Sequence, residues 1–147
     1  ILKIKDYKIL QVEKGVIPMT DYPFHKETSG KLTKIGTAGS WVKGSTGYSF
    51  KHTEKKVSKI ISNIKHGNAP EHNLINNRSR FYDAIFLDVL EHRNEMGEQL
   101  FSDFYSNNSP IEILKYLDEE TEVLEELKIM WSLYHPEFIK SFFRKLF

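Results

Sequence analysis

The apolar pattern of this chain changes period near residue 50, and that change constrains the fold more than any other feature. Upstream, apolar residues alternate and are interrupted by turn formers. Ile4, Tyr7, Ile9 and Val12 suggest a short strand. Gly15-Val16-Ile17-Pro18-Met19 suggests a second, which Pro18, having no N–H, confines to its end or to a sheet edge. Asp21-Tyr22-Pro23 and Thr28-Ser29-Gly30 read as turns, and Leu32-Thr33-Lys34-Ile35 as a third short strand running into Gly36. Downstream the period is 3.6: Val57, Ile60, Ile61 and Ile64 share one helical face, while Lys55, Lys56, Lys59 and Lys65 fall largely elsewhere. His66-Gly67-Asn68-Ala69-Pro70 closes that helix with a glycine and then a proline.

After Asn76 the chain reads as helix throughout. Phe81, Ile85, Phe86, Val89 and Leu90 form one stripe, and Leu100, Phe101, Phe104 and Tyr105 another, ended by Asn107-Asn108. Ser109-Pro110-Ile111-Glu112 has the cap, first-turn proline and third-position glutamate of a helix start. Asp118 is expected to open a further helix, with Glu119, Glu120 and Glu122 at its positive dipole end. Leu117-Asp118-Glu119-Glu120-Thr121 is read accordingly as dipole-compensating acid. The pattern predicts an α/β fold, a few short strands followed by a mainly helical tail, divided at residues 1–66 and 67–147.

A chain of 147 residues is long enough for one domain with its own core. The absence of cysteine excludes disulfides, thiolate metal sites and thiol nucleophiles. No pair among the six histidines has the spacing of a helical metal site, so no metal is expected. A net charge of +1 gives no reason to expect nucleic acid as a partner. No apolar run reaches the roughly 20 residues of a membrane span. The sequence opens on Ile1, in a strand-like pattern, and contains no G-x-G-x-x-G. It is expected to be part of a longer protein.

The densest site-like cluster runs from Gly36-Thr37-Ala38-Gly39 through Trp41 to Ser45-Thr46-Gly47-Tyr48. Small residues at the carboxyl end of a strand let backbone approach a ligand, and N–H groups at a helix start suit a phosphate or a delocalised anion. On pattern alone the same residues also read as a tight strand-to-helix turn with a serine or threonine cap.

The elements Glu13-Lys14-Gly15-Val16-Ile17-Pro18-Met19, Gly36-Thr37-Ala38-Gly39 and Ser45-Thr46-Gly47-Tyr48 resemble the C-terminal half of the lycopene cyclase family of flavoproteins. Arg78-Ser79-Arg80-Phe81-Tyr82-Asp83 and Phe142-Phe143-Arg144 are similar to that family's helical tail. The likeness departs at Gly44, where the family pattern has a proline before the Ser-Thr-Gly-Tyr run. The resemblance implies the C-terminal portion of a Rossmann-like FAD/NAD(P)-binding flavoprotein. It also implies conversion of the linear ends of lycopene to β-ionone rings, an acid-catalysed cyclisation without net redox change. FAD in its reduced form would be the cofactor and NAD(P)H the reductant. Gly36, Thr37, Ala38, Gly39, Ser45, Thr46, Gly47 and Tyr48 would contact the cofactor. Ile17, Pro18, Met19 and Trp41 would line the substrate pocket, and Glu13 would be the nearby carboxyl, alternatively a solvated strand-end glutamate. This portion alone is expected to be inactive.

Carotenoids dissolve in lipid, so the resemblance also implies a peripheral protein on the cytoplasmic side of a membrane. Phe138, Ile139, Phe142, Phe143, Leu146 and Phe147, interleaved with Lys140, Arg144 and Lys145, suit either an interfacial helix or a core helix with its basic residues in water. Lys51, Lys55, Lys56 and Lys59 read as a solvated face. Two rival readings are a flavin-dependent hydroxylase or isoprenoid reductase of the same superfamily, and a helical interaction module without catalysis.

Overall fold

The computed structural model of the chain describes residues 6–16, 18–27 and 32–147. Its helices are α1 (Phe50–Lys65), α2 (Asn77–His92), α3 (Gly97–Asn107), α4 (Pro110–Leu117), α5 (Val123–Ser132) and α6 (Pro136–Leu146), with short 3-10 turns at Phe24–Glu27, Gly36–Gly39 and Asn94–Met96. The α/β expectation is overturned. Among the described residues there is no strand, and β-pairing is confined to a single bridge residue, Leu32.

The physical reason is that alternation supplies the faces of a strand but not its ladder. Residues 6–16 run without regular structure, and Ile9 and Val12 are 65% and 71% exposed, so neither face of the alternating pattern is covered. Leu32–Ile35 turns at once into a 3-10 turn, where the Gly39 N–H donates to the Ile35 carbonyl. Ile4, Ile17 and the Thr28-Ser29-Gly30 turn signal lie outside the described residues.

The helical half follows local chemistry closely. Asn76 caps α2 by accepting from the Ser79 N–H at 3.2 Å. At α4 the Ser109 hydroxyl accepts from the Glu112 N–H while the Glu112 carboxylate accepts from the Ser109 N–H, the reciprocal box its sequence announces. Gly67 ends α1 at φ +72°. One boundary departs from expectation: Asp118 closes α4 instead of opening a helix, and α5 begins only at Val123. The acids 118–120 therefore lie in a turn, with Glu119 at φ +54°.

Phe104, Ile113, Leu117 and Ile129, from α3, α4 and α5, pack as one apolar cluster, flanked by Tyr48, Tyr116 and Leu133. Against α2 packs α6, in an arrangement that reverses the simple core-helix picture. Fully buried Ser141 donates to the Ile85 carbonyl at 2.8 Å, and Arg144 pairs with Asp88 at 2.5 Å. Ile139, Phe142, Phe143 and Leu146 are left exposed.

Candidate functional site

The glycine-rich turn is shaped by close backbone approach. Gly36 has φ +59° and Ser40 closes the turn in the left-handed region at φ 57°. A Cβ on Gly39 would lie 2.4 Å from the Lys34 carbonyl oxygen, so that glycine serves the turn's own closure. The N–H of Trp41 returns to the Gly36 carbonyl at 3.0 Å. Thr37 and Ala38 stay exposed, and their N–H groups donate to none of the described residues.

Beyond the turn, residues 43–48 fold back on themselves. Lys43 N–H donates to the Tyr48 carbonyl at 2.8 Å, and Gly47, at φ +72°, donates to the Lys43 carbonyl. The Lys43 side chain then points inward. Its ammonium lies 3.1 Å from Asp83 Oδ1, donates to Ser79 Oγ at 2.9 Å and sits 4.7 Å from the centre of the Tyr116 ring. Ser45 Oγ donates to the same Asp83 oxygen at 2.5 Å. Tyr48 reaches the other way and donates from its hydroxyl to Asp118 Oδ1 at 2.6 Å, which raises the Tyr48 phenol above its ordinary pKa. The loop is thereby fixed to α2 on one side and to the α4–α5 turn on the other.

A cleft opens beside this loop, walled by Pro18, Tyr22, Phe24 and Trp41 and floored by His52, Lys56, Arg80 and Glu119. Its volume is about 30 Å³, room for a few waters or one small polar group and not for a C40 hydrocarbon. His52, 3% exposed, has Nδ1 3.4 Å from the Trp41 carbonyl, while Nε2 is buried without a partner, 3.9 Å from Glu119 Oε1. Burial lowers the His52 pKa, and the Glu119 carboxylate opposes that shift. Burial also lowers the Lys56 pKa, aided by the Arg80 and Lys43 cations and opposed by Glu119. A second, open cavity of about 280 Å³ adjoins it through His52, Lys56 and Glu119.

The expected site residues divide among these places. Trp41 and Pro18 line the cleft, as do Thr37 from the glycine turn and Gly44 beside it. Met19 faces a different cavity with Leu87, Leu90 and Lys145. Ser45 and Gly39 are buried within the protein, and Thr46 Oγ1 accepts from the Tyr48 N–H. Since α1 begins at Phe50 behind Ser49, Ser45 and Thr46 stand outside its first turn. Glu13 is exposed, and its carboxylate meets Gln11 Nε2 at 3.4 Å. Ile17 lies outside the described residues.

The lycopene cyclase protein family matches this chain over residues 2–145, nearly its whole length. The chain belongs to the lycopene cyclase family. Membership ties it to carotenoid cyclisation, and so to a carotenoid-modifying enzyme. No curated protein and no solved structure matches the chain.

For a member of a family read as flavin-dependent, the question is whether these residues suit a flavin. Thr37 and Ala38 are exposed with N–H groups that donate to none of the described residues, so they could serve an electron-rich ring edge, and α1 starts without a side-chain cap on its first N–H groups. This donor set fits one edge of such a group. His52, Lys56, Arg80 and Asp83 were missed in the sequence because each acts across the fold. The signal that could have found Asp83 is its place in Arg78-Ser79-Arg80-Phe81-Tyr82-Asp83, the run that carries part of the family likeness.

Proposed function

We propose that this cyclase-family chain is the C-terminal part of a lycopene cyclase that closes β-ionone rings on the linear ends of lycopene, with reduced FAD as cofactor and NAD(P)H as its reductant. The observation that carries the reading is the turn Gly36–Gly39. Its Thr37 and Ala38 are exposed with N–H groups that donate to none of the described residues, while the adjoining loop is tied down by Lys43, Ser45 and Asp83.

Ring closure adds a proton to one double bond and removes a proton from a neighbouring carbon, so nothing is oxidised or reduced overall. When bound, an anionic reduced flavin supplies negative charge that stabilises the cation between those two steps. In this chain, Thr37 and Ala38 would hold the ring edge through their N–H groups. Trp41 and Pro18 would exclude water from the reacting end. Glu13, on the same exposed segment as Pro18, is the carboxyl assigned to that neighbourhood. The substrate's long chain would remain in lipid. The exposed Ile139, Phe142, Phe143 and Leu146 of α6, flanked by Lys140 and Lys145, provide a face for the cytoplasmic side of a membrane.

The test is expression of the chain, extended upstream in its own reading frame, in lycopene-accumulating bacteria, followed by chromatography of the pigments. A cyclic carotene with β-rings is expected. Unchanged lycopene beside a folded, flavin-loaded protein would sink the reading.

A further inference from the structure

We propose that Arg80 and Lys56, with His52 beneath them, form a binding site for a phosphate-type oxyanion in the cleft between the glycine turn, α1 and α2. This site stands apart from the cyclase reading.

Charge in this cleft is unbalanced. Of the cations lining the cleft, Lys43 is neutralised by Asp83 at 3.1 Å. Arg80 Nη2 donates only to a neutral group, the Asp21 carbonyl, at 2.8 Å, and the Asp21 carboxylate is drawn away to Lys145 at 3.0 Å. Among the described residues no carboxylate lies within ion-pair distance of Arg80 or of Lys56. The undescribed residues contain no aspartate or glutamate, so no such partner is hidden there. Two cations thus line the cleft beside Glu119, with which neither forms an ion pair among the described residues.

The second observation is the orphaned ring nitrogen. His52 Nε2 is the sole buried side-chain nitrogen among the described residues without a hydrogen-bond partner. A ring that donates from Nδ1 to the Trp41 carbonyl leaves Nε2 as an acceptor, and a buried acceptor asks for a donor. A phosphate group answers both demands. Its charged oxygens suit the Arg80 fork and the Lys56 ammonium, and its monoanion carries a hydroxyl proton for Nε2. Glu119 Oε1, 3.9 Å from Nε2, supplies only a second acceptor there, and its half-buried side chain gives way when the ligand enters. The shared chemistry is a phosphate ester, from a soluble molecule or from a lipid headgroup.

The experiment titrates inorganic phosphate into the 147-residue chain and follows the His52 imidazole by NMR. Saturable shifts at His52 are expected. Arg80→Gln and Lys56→Gln should each weaken binding about tenfold, as loss of one charge-assisted contact does. Glu119→Gln, which removes the competing carboxylate, should tighten it. Lys65→Gln, at the far end of α1, should change nothing. Should Arg80→Gln fail to fold by circular dichroism, Arg80→Lys reads the same contact, keeping charge and losing the fork. Shifts that never saturate, an equal loss in Lys65→Gln, or weaker binding in Glu119→Gln would overturn the site. Displacement of phosphate by glycerol 3-phosphate assigns a soluble ester, and displacement only by phosphatidylglycerol vesicles, not by phosphatidylcholine ones, assigns a headgroup. Displacement by none of them overturns the ester assignment.

Discussion

The Lys43 ammonium and the Asp83 carboxylate meet at 3.1 Å with the lysine side chain wholly buried and the aspartate 8% exposed. This pair joins the loop that follows the glycine turn to the middle of α2. Ser45 and Ser79 complete its hydrogen bonds, so neither charge is left bare. Together they give the turn Gly36–Gly39 a fixed seat without a sheet to hold it.

Removing one partner should be far worse than removing both. Lys43→Met strands a buried carboxylate and should cost about 3–5 kcal/mol, whereas Lys43→Met combined with Asp83→Leu should recover much of that loss. Urea denaturation of the two single variants and the double variant measures the coupling. Equal, additive losses would contradict the buried-pair account.

The glycines should separate into two classes. A Cβ at Gly44 would meet the Thr20 carbonyl oxygen at 2.6 Å and one at Gly39 the Lys34 oxygen at 2.4 Å, so either alanine variant should lose about 1–3 kcal/mol. Gly15 meets nothing within 4 Å and should tolerate alanine to within about 0.5 kcal/mol. Thermal unfolding of the three variants decides it.

Stability should fall as acid is added through the histidine range, in a way that His52 controls. Burial lowers the folded-state pKa of His52 below its ordinary value of 6.5. The unfolded chain therefore binds the proton more readily, and acid favours unfolding. The stability contributed by the neutral ring is fully present above about pH 6.5 and is lost as pH falls toward the depressed folded value. Urea midpoints measured between pH 5 and 8 should slope less in His52→Gln. A slope unchanged by that substitution would place the titration elsewhere.

Ser109→Ala should remove about 1 kcal/mol by opening the box at the start of α4. Lys128 and Ser109 hold the Glu112 carboxyl down to about 2, so its ion pair with Lys128 persists through mild acid. NMR titration of Glu112 in the wild type and in Lys128→Gln should show the pKa rise when the lysine is lost.

The apolar face of α6 should be dispensable for folding and needed at a membrane. Phe143→Ser with Leu146→Ser, both at exposed positions, should leave the unfolding midpoint nearly unchanged and reduce sedimentation with vesicles. Ser141→Leu, at a fully buried position against Ile85, should do the reverse and detach the helix from α2.

Local rules carried the reading wherever a helix end depends on a few neighbouring residues. The Gly67 stop and the Ser109–Glu112 box both stand where the sequence places them. The same rules misplaced Asp118, because acids that suit a dipole equally suit a turn, here one that brings Asp118 to the Tyr48 hydroxyl and Glu119 to within 3.9 Å of His52 on α1. On α6 the pattern announced two faces and left open which one docks. Asp88 and the Ile85 carbonyl made that choice by offering partners to Arg144 and Ser141.

By itself the sequence determined the family, the helix periods from residue 50 onward and the small, turning character of Gly36–Gly39. These are encoded by residues close together in the chain, where sterics and capping act over three or four positions. Only the tertiary structure decided that the described residues of the alternating segment form no sheet, that Lys43 turns inward to Asp83, and that His52, Lys56 and Arg80 share one cleft. A ladder, a buried ion pair and a convergent set of charges each need a partner from elsewhere in the fold, and no local pattern specifies which partner arrives.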